Sequence, residues 1–294
     1  PGNVLLASKS GEIFFHNSGG FHTYSNGRNM SPSDIFDLAS LSKVISTTAA
    51  IMILFDQKEL KLDTRVYEIF PDILRSDDKF VNEKKAITIR HLLTHTAGFP
   101  PFKKYFSMDI KQKQIINDIC STKLLHKPGD ETVYSDLGMI LLGKIVEYVT
   151  GTSLDIFVSD YIFKPLGMES TFYNPSKKKL KRIVPTEVVS GYREGLIHGE
   201  VHDENAHKLG GVAGHAGLFS SARDLAVFSQ MMLNGGIYGD KRIFKKSTVN
   251  QFTSRALVDT NSFRCLGWDS PSGESSGGIY LSDKSYGHTG YTGT

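Results

Sequence analysis

Three serine–lysine pairs stand at i, i+3 spacing: Ser40 with Lys43, Ser76 with Lys79 and Ser176 with Lys179. On a helix such positions share one face a turn apart, so the amine can reach the hydroxyl. That contact matters because a free serine hydroxyl is a poor nucleophile near neutrality. Context separates the three pairs. Ser76-Asp77-Asp78-Lys79 falls in a charged stretch after Pro71. Ser176 opens the basic run Lys177-Lys178-Lys179, Lys181 and Arg182, between Pro175 and Pro185. Both read as surface segments. Only Ser40 opens a long apolar run, where a helix N-terminus would place free N–H groups and positive dipole near a forming oxyanion. A Lys43 neutralised by burial could accept the serine proton, whereas an ammonium could not. The plainer reading of the same tetrad is an N-cap serine followed by a solvated lysine.

Two further elements carry chemistry. Tyr134-Ser135-Asp136 follows the turn Pro128-Gly129-Asp130 and precedes a helix beginning near Met139. A tyrosine at such a junction can act as a general base when its phenolate sits beside an ammonium. Alternatively it is a half-buried tyrosine, with Asp136 as the N-cap. Gly287-His288-Thr289-Gly290-Tyr291 reads as part of a strand, and its glycines allow close approach of a ligand. A competing nucleophile is Ser275 in Gly273-Glu274-Ser275-Ser276-Gly277, followed by Asp283 and His288. That G-x-S-x-G pattern lacks the strand before it and the helix after it that an elbow requires. His198, His202 and His207, with Asp203 and Glu204, invite a metal reading. Their spacing is not H-E-x-x-H, and Asp203 and Asn205 read instead as backbone caps.

The elements that must position these residues follow from periodicity. Val4–Ala7 and Glu12–His16 form a hairpin around Ser8-Lys9-Ser10-Gly11. Leu38 to Leu60 is helical, with apolar residues recurring at spacings of three and four. Further helices cover Ile87–Leu93, Met139–Val149, Leu154–Ile162 and Ala222–Leu233, ending near Gly98, Gly151, Pro165 with Gly167, and Gly235-Gly236. Leu209–Gly217 is a tight buried loop, and Gly267–Gly278 is a Ser/Gly/Pro loop. Tyr286–Thr294 is a strand followed by a turn. Strands at both ends with helices between predict an α/β (α+β) fold: a sheet interrupted by a helical insertion.

Composition limits the classes. With 294 residues, 39% hydrophobic and 22% charged, the chain has an ordinary globular profile, and 31 aromatic residues exclude global disorder. The net charge of +3 gives no nucleic-acid footprint, and the one basic run reads as a solvated loop. The longest apolar run, Val44–Phe55, falls short of the roughly 20 residues of a membrane span. Cys120 and Cys265 form no C-x-x-C and read as inert core thiols. The chain opens at Pro1 and stops at Thr294 after a Gly/Thr-rich stretch, so it reads as a piece of a longer product.

Together, Ser40-Leu41-Ser42-Lys43, Tyr134-Ser135-Asp136 and His288-Thr289-Gly290 resemble the three ordered motifs S-x-x-K, Y-x-N and K-T-G of the serine β-lactamase and penicillin-binding-protein superfamily. Phe36-Asp37-Leu38-Ala39, the stretch Thr88 to Gly98 and Gly214 to Ser220 are similar to its class C-like branch of β-lactamases, D-Ala-D-Ala carboxypeptidases and esterases. Val201 to Ala206 and Leu266-Gly267-Trp268-Asp269 resemble a subgroup of bacterial serine hydrolases, some of which are fused to a β-N-acetylglucosaminidase domain. The resemblance implies an antiparallel sheet flanked by helices, with residues 1–38 and 215–294 forming the sheet subdomain and 39–214 a mainly helical one. The active site would lie at their junction. It also implies two more strands and a terminal helix after the third motif. Without them residues 1–294 are expected to be unstable or inactive, with open sheet edges.

The implied chemistry is acyl transfer. Ser40 attacks a carbonyl, Lys43 and Tyr134 share the proton traffic with either able to start as base, and the backbone N–H groups of Ser40 and Tyr291 form the oxyanion hole. Asp136 orients Lys43, while His288, Thr289 and Gly290 meet the substrate's polar end. No metal or other cofactor is implied. Asp136 replaces the usual Asn and cannot donate a hydrogen bond when ionised. His288 replaces Lys and, when neutral, is a weaker carboxylate anchor. Both changes disfavour efficient β-lactam hydrolysis and leave peptidase or esterase activity on a small molecule or peptidoglycan-derived peptide. The other class is a catalytically weak binding module that senses cell-wall peptides or muropeptides. The resemblance further implies an exported protein, periplasmic or in the cell envelope.

Overall fold

β1 (Asn3–Lys9) and β2 (Glu12–Gly19) pair antiparallel through a turn at Ser10 and Gly11, both at positive φ. That turn twists in the same sense as the strands it joins. The computed structural model describes residues 2–24, 27–74, 80–259, 262–271 and 278–294. The Ser76/Lys79 pair and the Gly273–Gly277 stretch therefore lie outside the described residues.

β3 (Ile35–Asp37) leads into the long apolar run. The run is helical but not uniformly so: a 3-10 turn at Ala39–Leu41, a π-helical stretch at Lys43–Thr48, then α1 (Ala49–Asp56). It stops short of Leu60, where Lys58 takes a positive φ and turns the chain away. Ala39–Asp56 is long and apolar enough to cross a membrane, with a mean hydropathy of 1.3, yet 78% of it is buried within the protein. Lys43 through Leu54 are all buried, so the helix is covered nearly all round, as a central core helix must be.

Around it pack α2 (Val66–Ile69), α3 (Val81–Lys84), α4 (Ile89–Leu93), α5 (Gln112–Ser121), α6 (Asp136–Thr150) and α7 (Leu154–Val158). The side chain of Thr88 caps α4, and Gly151 in the left-handed region ends α6. The predicted fourth helix is α up to Val158 and π-helical over Ser159–Phe163. The short strand β4 (Phe172–Tyr173) follows, then β5 (Glu187–Val189) paired with β6 (Gly195–Ile197), and α8 (Glu204–Lys208). β7 (Leu218–Ser221) is the centre of a three-stranded antiparallel sheet, β3-β7-β4, in which Asp37 faces Phe219. α9 (Ala222–Leu233), β8 (Ile237–Tyr238), β9 (Lys241–Arg242), α10 (Lys246–Thr253), β10 (Ala256–Asp259) and β11 (Ser262–Arg264) complete the described elements. One apolar core runs from Leu38 to Trp268 and includes Leu93, Phe99, Leu141 and Phe228. Cys120 and Cys265 are buried cysteines, and Lys177–Arg182 is a 3-10 turn with no buried residue.

Among the described residues the expected antiparallel pairings are distributed over five small sheets. One expectation needs correction. Tyr286–Thr294 is not a strand. Among the described residues it pairs only at Gly287, with Asp269, and then closes a turn in which Gly290 N–H donates to the Thr294 carbonyl (2.6 Å) and Gly293 N–H to that of Gly290 (3.0 Å). Those internal bonds use the groups a ladder would need.

Candidate active site

Ser40 stands just beyond β3, in the 3-10 turn, and the turn is held from behind. Buried Asp37 accepts Ala39 N–H on Oδ1 (2.9 Å) and His202 N–H on Oδ2 (2.6 Å). Ala39 adopts φ 44°, a region that non-glycine residues rarely occupy, so the residue before the serine is strained. Burial pushes the Asp37 carboxyl above its ordinary value, against the two N–H groups that favour its charge.

Lys43 lies one turn on, its side chain 1% exposed. Its ammonium has three donors and three acceptors: Ser40 Oγ (2.8 Å), Asp136 Oδ1 (2.8 Å) and the His215 carbonyl (3.1 Å). Burial works against this charge, but Asp136 and Tyr134 outweigh it and hold the pKa above its ordinary value. A carboxylate 2.8 Å away favours the charged amine, against the reading of a lysine neutralised by burial.

Tyr134 and Asp136 come from the segment entering α6. The N-cap is Ser135, whose Oγ accepts Gly138 N–H (3.4 Å) and donates to the Pro100 carbonyl (2.6 Å). Asp136, read as the cap, is instead the first helical residue, where the macrodipole favours a carboxylate. The Tyr134 side chain is exposed on one side, with its ring centroid 4.9 Å from Lys43 Nζ and 5.6 Å from the Arg264 guanidinium carbon.

Behind Lys43 sits a pair that sequence reasoning did not assign to the site. His215 Nε2 is 2.9 Å from Asp203 Oδ1, and the same carboxylate oxygen caps α8 through Ala206 N–H (2.7 Å). Desolvation of the partly buried Asp203 works against its charge, but His215 draws the carboxyl well below the usual range. Asp136, Asp203 and His215 place potential metal-ligand atoms within 4.8 Å of one another. The cation bonded to this cluster is Lys43. The histidines considered as metal ligands part company: His198 bonds the Leu180 and Ile183 carbonyls, His202 pairs with Glu187, and His207 pairs with Glu200.

The third motif reaches the same place. His288 and Tyr134 rings lie 5.9 Å apart, and burial pushes the His288 imidazole below its ordinary value. A Cβ on Gly290 would fall 2.5 Å from the Leu38 carbonyl, so only glycine allows this approach to the serine turn. Thr289, with His288, borders a cavity of about 650 Å³ beside Leu41, Val44 and Trp268. The Tyr291 side chain points outward, 83% exposed, and stacks on His202. The structure thus gathers Ser40, Lys43, Tyr134, Asp136 and His288, and leaves the Tyr291 ring outside that cluster.

The profile of the Beta-lactamase family matches residues 1–294. The chain belongs to this family, a family of serine hydrolases. A protein of Escherichia coli K12 provisionally named a D-alanyl-D-alanine carboxypeptidase is 38% identical over 285 residues, 88% of this chain and 65% of the relative. Its counterpart in E. coli O157:H7 is 35% identical over all of this chain and 74% of its own length. The chain thus spans about two thirds to three quarters of these relatives. Among solved structures, EstCE1, a hydrolase with promiscuous acyltransferase activity, superposes with TM-score 0.75 at 20% identity over 96% of this chain and 81% of that one. A class C β-lactamase from Rhodobacter sphaeroides gives 0.72 at 19% identity, over 92% and 70%. These two likenesses establish the β-lactamase-like fold.

Proposed function

We propose that this family member cleaves an amide or ester through an acyl-enzyme on Ser40. The observation that carries the reading is the chain of contacts from Ser40 Oγ to the Lys43 ammonium to Asp136, each 2.8 Å. Ser40 Oγ attacks the carbonyl carbon while Lys43 holds the oxygen in place. Tyr134, across Lys43, carries the proton from the serine to the leaving group, and water then releases the acyl group. Backbone N–H groups at Ser40 and Tyr291 receive the oxyanion. Asp136 pairs with Lys43 through Oδ1 and, as a carboxylate, offers no donor to a substrate carbonyl, which disfavours efficient β-lactam hydrolysis and leaves peptide or ester turnover. The relatives' name supports a peptide ending in D-alanyl-D-alanine as substrate, and with it a site of action in the cell envelope.

The test treats full-length protein with a fluorophosphonate and separately with a penicillin, then reads intact mass and maps the adduct. Adduct on Ser40, lost in Ser40→Ala and kept in Ser275→Ala, is expected. No adduct from either reagent on folded protein would shift the reading to a binding module for cell-wall peptides.

A further inference from the structure

We propose that His95 is a positioning residue for Tyr134, gripping it from three directions at once. The inference rests on the reading of Tyr134 as proton carrier. The His95 carbonyl accepts Val133 N–H (2.9 Å), its Nδ1 accepts Ser135 N–H (3.1 Å), and its ring lies 4.6 Å from the Tyr134 ring, centroid to centroid. One residue thus holds the positions before and after Tyr134 as well as its aromatic face. His95 adopts φ 58° in this arrangement, the left-handed region that non-glycine residues seldom occupy. Strain of this kind persists only where the surroundings over-determine it, and it clusters at functional sites.

The imidazole's protonation fits the same role. With Nδ1 accepting from Ser135, the ring proton sits on Nε2, which is buried and has no partner among the described residues. A histidine kept for stability alone would normally satisfy both nitrogens. Burial first, then the charges of Arg264, Lys43 and His288, push the ring well below its ordinary pKa. It therefore stays neutral, and Nδ1 remains an acceptor across the working range. A phenol that must meet both Ser40 and a leaving group gains from such a clamp, because displacement by about 1 Å can cost a hundredfold in rate.

The test is a double-mutant cycle of His95→Asn with Tyr134→Phe, read by kcat and KM for p-nitrophenyl acetate and by the rate of fluorophosphonate labelling at Ser40. Asn tolerates a positive φ and keeps an acceptor near Nδ1 but removes the ring. His95→Asn is expected to lower kcat about ten- to hundredfold, with KM within about twofold, and to have no further effect in Tyr134→Phe. Multiplicative losses in the double variant, or wild-type kcat in His95→Asn, overturn the proposal. Full activity in Tyr134→Phe alone removes the reading beneath it, and so does a wild-type protein that reacts with neither reagent. Should His95→Asn not melt cooperatively, His95→Gly, which relieves the strained φ, takes its place in the cycle.

Discussion

Lys43 shows how three acceptors fix the charge of a buried amine. A lone ammonium at 1% exposure would be strongly disfavoured, and the Asp136 carboxylate together with Tyr134 reverses the outcome. The charged form is the one that donates to Ser40 Oγ, so acylation should fall as pH rises through the Lys43 pKa. Asp136→Asn removes the anion with little change of shape. The alkaline limb of the pH–rate profile for Ser40 acylation should then move to lower pH. An unchanged limb would mean that Asp136 does not set the protonation of Lys43. The Asp203–His215 pair supports the same amine at one remove, since the His215 carbonyl is its third acceptor.

At the scale of elements, the site depends on how closely α6 and the 209–217 loop approach the apolar helix. A Cβ on Gly214 would lie 2.0 Å from the Met139 carbonyl oxygen, and one on Gly143 would lie 3.0 Å from Gly214 Cα. Thr47 Oγ1 donates to the Gly214 carbonyl at 2.7 Å, so the same glycine binds the helix that carries Lys43. Gly214→Ala should cost about 1–3 kcal/mol in denaturant unfolding, as overpacking typically does, and should lower Ser40 acylation by displacing the His215 carbonyl. Wild-type stability and labelling in this variant would show that the contact relaxes freely. The helices were legible because apolar spacing and terminal glycines mark them, as at Met139–Val149 ending in Gly151. The pairing of Ser40 with Lys43 was legible because it is local, set by one helical turn. His95 and Asp203–His215 were not, because their contacts bring distant segments together and a positive φ at His95 leaves no mark in residue type. The misread strand at Tyr286–Thr294 has a related cause: β-like composition cannot show whether a partner lies alongside.

For the molecule as a whole, its histidines couple stability to acidity. Burial holds His95 well below its ordinary pKa, and His91, His207 and His288 shift the same way. A base with a depressed folded pKa binds fewer protons folded than unfolded. Its stabilising effect is complete above the unfolded value, about 6.5, and is lost as pH falls toward the folded value. Asp37, with a raised pKa, acts in the opposite sense in the window above its unfolded value, about 3.9. The depressed Asp203 loses its contribution only on acidification below that value. Between pH 7 and 5 the histidines should dominate, so Tm should fall on acidification. His95 alone can add a slope approaching about 1.4 kcal/mol per pH unit. Melting curves across pH 5–8 should therefore be steeper for the wild type than for His95→Asn. Parallel curves would mean that the His95 ring takes a proton in the folded state, and with that proton Nδ1 could no longer accept from Ser135.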